Sequence, residues 1–213
     1  MAGKIKLDII SDVVCPWCII GYNHLEAAIN ELGLQDRVEI EWLPFELNPD
    51  MPAEGEHLRA HVQRKYGASA EDSQRTRFDI AERGAVHGFK FDYFDEMKMV
   101  NTLDAHVLLE FAKKYEKQTE LKLRLFSAFF TEHKDVSDRS VLIEEVKTVG
   151  LDGDKALAWL NDGSHHKAIR EQETYWQQAG VSGVPTVILN QESAVTGAYP
   201  VEGYKEILKE FMG

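Results

Sequence analysis

The chain has 213 residues and only two cysteines, Cys15 and Cys18, separated by Pro16 and Trp17. Two thiols at this spacing can exchange with a disulfide: one sulfur attacks, and the second resolves the mixed disulfide that forms. Attack requires a thiolate. A helix start favours one through its unpaired N–H groups and partial positive charge, and such surroundings bring a thiol from a pKa of about 8.5 into the range of roughly 3.5 to 7.5. Cys15, at the head of an apolar-periodic stretch, is the expected attacking sulfur and Cys18 the resolving one. Pro16 suits a first helical turn, where its missing N–H costs little. Trp17 would form an apolar wall beside the sulfurs. A buried core pair and half of a zinc site are the alternatives on spacing alone. Zinc would need two more ligands, yet the only nearby histidine is His24, with His165 and His166 far along the chain. No metal is expected.

Gly183-Val184-Pro185-Thr186 is the second feature with chemical content. A proline directly before an apolar β run removes a ladder hydrogen bond. A cis Val184–Pro185 bond would account for it by turning the Val184 N–H and C=O toward a bound extended chain. A trans proline opening an edge strand is the other reading.

These residues need elements to hold them. Lys4 to Ile10 reads as a strand, Trp17 to Leu32 as a helix closed by Gly33, and Val38 to Phe45 as a second strand, a β-α-β start with the cysteines at the first junction. From about residue 56 to 179 helical periodicity takes over. It predicts helices over His57–Tyr66, Glu71–His87, Thr102–Lys117, Leu121–His133, Arg139–Val149, Lys155–Leu160 and Ser164–Ala179. Asn101, Ser137 and Asp154 are the expected N-caps, and Gly88, Gly150 and Gly180 the expected ends. Val184–Leu189 and Ala194–Thr196 then form a hairpin, and Val201–Met212 a last helix. The predicted class is α/β with a large all-helical insertion, residues 1–55 and 178–213 making one discontinuous domain and 56–177 the insertion.

With 24 basic and 36 acidic residues the formal charge is −12, which disfavours nucleic acid and anionic membranes as partners. No apolar run reaches the length of a membrane span, and the N-terminus lacks the apolar core of a signal peptide, so the expected compartment is the cytoplasm.

Asp12-Val13-Val14-Cys15-Pro16-Trp17-Cys18 with Gly21, Pro44-Phe45-Glu46-Leu47-Asn48-Pro49, Asn101-Thr102 with Ala105-His106, and Gly180 to Thr186 occur in one order. Together they resemble the DsbA-like branch of the thioredoxin superfamily, its FrnE-like subgroup above all, over essentially the whole chain. The resemblance implies a thioredoxin-like fold with a central mixed sheet and a thiol-disulfide oxidoreductase acting on protein or small-molecule thiols and disulfides. Cys15 would be the nucleophile, Cys18 the resolver, Pro185 a cis-proline packed against the disulfide, and Val184 the supplier of backbone hydrogen bonds, with Pro16 and Trp17 beside the substrate. No cofactor would be required beyond glutathione as a redox partner, and a homodimer is one expectation. Related kappa-class glutathione transferases and 2-hydroxychromene-2-carboxylate isomerases carry serine at the place of Cys15. A glutathione-dependent isomerase or transferase, and a non-enzymatic binding or chaperone module, are therefore the competing functions. Trp17 stands where secreted DsbA proteins place histidine, so no strong oxidising power follows.

Other residues are read more plainly. Asp12 is either a proton carrier for Cys18 or a solvated loop acid, and His106 a packing histidine rather than a cleft-facing one. The segment Phe89, Phe91, Tyr93, Phe94, Met97, Met99 is core in preference to groove. His165 and His166 are read as surface, and Gly197-Ala198 as a minor candidate for approaching a carboxylate.

Overall fold

Strand β1 (Ile5–Ser11) is buried along almost its whole length, with Asp8 and Ser11 buried beside its apolar residues and only Lys6 partly exposed. It is central in the sheet. The computed structural model, which describes residues 4–212, places it between β2 (Val38–Pro44), which runs parallel to it, and β5 (Thr186–Leu189), which runs antiparallel. Strand β6 (Ser193–Thr196) pairs antiparallel with β5, completing a mixed four-stranded sheet in the order β2-β1-β5-β6. Helix α1 (Pro16–Glu31) joins β1 to β2 and packs against the C-terminal helix (Val201–Met212).

Between the two halves of the sheet lie α2 (Leu58–Tyr66), α3 (Ala70–Val86), α4 (Leu103–Lys113), α5 (Gln118–Phe130), α6 (Arg139–Thr148), α7 (Gly153–Asn161) and α8 (Gly163–Gln178). The C-terminal helix is α9. This is the α/β class that the periodicity predicts, with the central mixed sheet that the resemblance implies. Helix α4 is the hub of the helical segment, touching α5, α6, α7 and α8, and Ala105, Val107, Leu108, Phe111 and Ala112 are among its buried residues. Contrary to the all-helical expectation, the segment also contains a two-stranded ribbon, Glu56–His57 (β3) against Lys98–Met99 (β4). Two-residue strands are too short to leave an alternation in the sequence. Among the described residues no helix is long and apolar enough to cross a membrane.

Boundaries differ from the sequence reading where a side chain caps at a distance. Asp138 rather than Ser137 caps α6, and Asp152 rather than Asp154 caps α7, each accepting from N–H groups two or three residues on. Thr102 takes the N-cap position of α4, while Asn101 Oδ1 accepts the Leu103 N–H. Helix α4 stops at Lys113, four residues early, and Glu116 turns the chain with a φ of 56° before α5 begins.

The free edge of β2 explains how α5 is docked. Gln118 Nε2 donates to the Trp42 carbonyl and Gln118 Oε1 accepts the Trp42 N–H, both at 2.9 Å. One amide thus satisfies both backbone groups of a buried edge residue. The Trp42 indole N–H donates to Thr119 Oγ1, and its ring meets Phe126 from α5. Replacing Gln118 with Met strands a buried N–H and C=O together. The expected loss is roughly 2 to 4 kcal/mol of stability in urea denaturation; an unchanged midpoint would mean that water satisfies the pair.

Candidate functional site

Strand β1 runs straight into the loop Asp12-Val13-Val14, and Cys15 is the N-cap of α1 with Pro16 in the first turn. The Cys15 N–H donates to the Asp12 carbonyl at 3.2 Å and the Cys18 N–H to the Cys15 carbonyl at 3.1 Å. This places Cys18 one turn along, beneath Cys15. Both cysteines are free thiols. Cys18 is wholly buried, whereas Cys15 borders a cavity and keeps 3% of its surface. Trp17 is the exposed member of the tetrapeptide, with the Arg83 guanidinium 5.8 Å over its ring.

The Val184–Pro185 peptide bond is cis. The Cys15 thiol points at the Val184 carbonyl, 3.9 Å away, and the Pro185 carbonyl accepts the Gly197 N–H at 2.8 Å. Gly21 explains how α1 fits here. A Cβ on it would lie 3.2 Å from Pro185 Cγ and 3.3 Å from Ala198 Cα, so the missing side chain lets the helix press on both loops. Gly197 and Ala198 are packing partners of the proline loop in this arrangement. Cys15, Cys18, Pro16, Trp17, Val184 and Pro185 therefore meet around the start of α1.

Beneath the sulfurs lies a buried group of charges, of which the sequence reading named only part. Asp12 is 1% exposed, with Oδ2 accepting the Leu47 N–H at 2.8 Å and Oδ1 3.4 Å from His106 Nε2. Burial works to raise the Asp12 carboxyl, but His106, the Leu47 N–H and Lys122 together hold it below its ordinary value. His106 is the buried packing histidine expected, and Asp12 is not the solvated acid that was its alternative. Lys122 on α5 was missed altogether. It is fully buried, its ammonium has no hydrogen-bond partner among the described residues, and it lies 5.3 Å from the Trp42 ring and 5.2 Å from the Phe126 ring. Burial brings its pKa down to about 8, against the opposing pull of Cys18, Asp12 and Cys15. Burial and then the Cys15 sulfur push the Cys18 thiol well up, with Lys122 counteracting. A lysine in a helix of mixed charge carries no mark of this fate; the only available signal is its spacing of four from Gln118 and Phe126.

The Pro44-to-Pro49 motif latches this group to the sheet. The Glu46 N–H donates to Glu173 Oε1 at 2.6 Å, and Asn101 Nδ2 donates to Glu46 Oε2 at 3.1 Å. Burial, and then Glu46, bring the Glu173 carboxyl up to about 8.

A cavity of about 430 Å³ opens beside Cys15. The cysteine loop, Val184, α2, α3 and the end of α5 form its walls. The aromatic segment divides between the two roles weighed for it: Tyr93, Met97 and Met99 line the cavity, while Phe91 is core and Phe94 stacks on His133. Ser73, Thr76, Arg77 and Ile80 line it from one face of α3, a spacing visible in the sequence but not singled out. The reading of His165 and His166 as plain surface is corrected. His165 stacks 3.5 Å from the Trp159 ring and His166 Nε2 is 2.6 Å from Asp104 Oδ1, since α8 folds back onto α4 and α7. His24 Nδ1 is 2.7 Å from the Tyr199 carbonyl, and among the described residues no group of three or more His, Cys, Asp or Glu is arranged to hold a metal ion.

Residues 6–209 match the family model of the DSBA-like thioredoxin domain. The chain is 25% identical over 207 residues to the uncharacterized protein YwbO of Bacillus subtilis, covering 97% of this chain and 96% of that one. The crystal structure of a probable DsbA oxidoreductase from Streptomyces coelicolor superposes with a TM-score of 0.91 at 28% identity, covering 97% of this chain and 89% of that one. The cytosolic disulfide reductase DsbM of Pseudomonas aeruginosa, also solved with GSH, shares the fold: TM-score 0.67, 18% identity, and 96% and 97% of the two chains covered.

The buried ammonium has a thermodynamic signature. Its folded-state pKa of about 8 lies below the unfolded value of 10.5. Charging it therefore costs the folded state in full below pH 8, and the cost fades as pH rises toward 10.5. In urea denaturation of the reduced protein, Lys122→Met is expected to gain up to about 3 kcal/mol at neutral pH and much less near pH 10. The same variant loses the charge that favours a Cys18 thiolate, so alkylation of Cys18 in a Cys15→Ser background should shift to higher pH. A pH-independent gain in stability would show that Lys122 is not the buried cation described.

Proposed function

The chain belongs to the DsbA-like thioredoxin family, and from that premise we propose that it is a thiol-disulfide oxidoreductase working through Cys15 and Cys18. The observation that carries this is the unequal pair at the start of α1: Cys15 borders the cavity, while Cys18 is sealed behind it. Only Cys15 can meet a substrate from outside. Its thiolate attacks one sulfur of a protein or small-molecule disulfide, the substrate S–S bond breaks, and the first thiolate leaves. Cys18 loses its proton, attacks Cys15 Sγ and releases the second thiolate, leaving a Cys15–Cys18 disulfide. Two electrons have then passed to the substrate, and a thiol such as glutathione returns the pair to the dithiol. Run backward, the same steps donate a disulfide.

Supporting groups have separate roles. The Lys122 ammonium offsets the negative charge that Cys18 acquires, in a place where burial otherwise opposes ionisation. The Val184 carbonyl faces Cys15, where an extended substrate backbone would run.

Reduction of insulin and refolding of scrambled ribonuclease, each followed with glutathione, provide the test. Cys15→Ser should bring both to the uncatalysed rate, whereas Cys18→Ser should accumulate a mixed disulfide at Cys15 visible as an added mass. Full activity in Cys15→Ser would overturn the assignment and favour a binding module.

A further inference from the structure

We propose that the cavity beside Cys15 takes a small, largely apolar disulfide bearing a carboxylate, with the carboxylate on Arg77 and one sulfur at Cys15. This rests on the thiol-disulfide exchange reading above and narrows it to a substrate class. The cavity, at about 430 Å³, lies within the range of small-molecule sites, roughly 300 to 1,000 Å³. Cys15 is 3% exposed and is reached through that cavity, which favours a small disulfide over one held on the surface of a folded protein. Leu58, Val62, Ile80, Met97, Met99 and Phe129 make most of the wall apolar.

Arg77 is the exception. It is half-buried, lines the cavity, and donates from Nη1 to Ser73 Oγ at 2.7 Å, a bond that orients the guanidinium without neutralising it. No carboxylate among the described residues lies within ion-pair distance of it. Other cations of this chain of net charge −12 are answered by acids: Lys6 pairs with Asp8 and Glu41, Arg124 with Glu132 and Glu145, and Arg139 with Asp104. A partly desolvated cation without an anion is costly, and an anionic ligand removes the cost. Tyr93 shares the wall, and its phenol feels both Arg77 and the Cys15 sulfur, so the cation and the nucleophile face one space. Its hydroxyl is a second donor for the carboxylate. Arg83, over the Trp17 ring, adds positive charge at the rim.

The chemistry balances with the substrate alone. Cys15 forms a mixed disulfide and expels one organic thiolate; Cys18 closes the Cys15–Cys18 bond and expels the other, so two thiols leave per enzyme oxidised. A low-molecular-weight thiol then restores the enzyme.

Dithiodibenzoate and its neutral diamide are a matched pair of probes. Each is mixed with prereduced protein in single turnover, aryl thiol release is read by absorbance, and rates are normalised to those with free cysteine. Wild type should release two thiols per chain and favour the dianion. In Arg77→Gln the dianion-to-diamide preference should fall about tenfold, the size of a charge-assisted hydrogen bond of roughly 1.4 kcal/mol, and Arg77→Lys should retain much of it. An unchanged preference in Arg77→Gln overturns the carboxylate assignment while leaving thiol-disulfide exchange standing. Faster reduction of insulin than of dithiodibenzoate overturns the small-molecule class. Release from neither probe, with insulin also untouched, removes the exchange reading and this proposal with it.

Discussion

Cys18 leaves water together with Asp12, His106 and Lys122, and most of the architecture serves to make that burial tolerable. Ionisable groups taken into a low-dielectric interior are expensive singly and acceptable only when their charges answer one another at fixed positions. Here those positions come from four separate parts of the chain: the loop after β1, helix α1, helix α4 and helix α5. Each must be held to a fraction of its own length. The Gln118 clamp on the β2 edge sets the depth of α5 and so of Lys122, while the Leu47 N–H fixes the Asp12 carboxylate. The two aromatic rings around the ammonium give it a face of negative quadrupole in place of water.

The dithiol therefore sits between two unlike environments. Below it is the closed, charged interior; beside it is a mostly apolar cavity supplied by the helical segment. A bare thioredoxin-like sheet with α1 and α9 would leave Cys15 open to solvent on that side. Helices α2 and α3 roof it over, and with the end of α5 they define what can reach the sulfur. The cysteine pair belongs to the sheet and α1, and much of the wall beside it belongs to the helical segment.

Much of this was legible in the chain. Cys15-Pro16-Trp17-Cys18 following an apolar strand reads as a reactive pair at a helix start because the relation between the two sulfurs is local, set by 3.6 residues per turn and by proline at the first helical position. The mixed sheet and helical insertion follow from period changes at about residues 56 and 180. Caps were less legible, since Asp138 and Asp152 stand one or two residues away from the expected caps Ser137 and Asp154.

Lys122 and Arg77 were not legible, and the reason is physical. A lysine on α5 and an arginine on α3 have the same local preferences whether they face water, a sulfur or an empty cavity; only the packing of distant elements decides. By itself the sequence determined the redox-type pair, its place at the strand-to-helix junction and the order of elements around it, all of which depend on spacing over a few residues. Tertiary structure alone decided that one cysteine is sealed and the other borders a cavity, that a lysine lies buried below them and that an arginine faces the cavity without an acid among the described residues. Those are outcomes of where chains far apart in sequence exclude water.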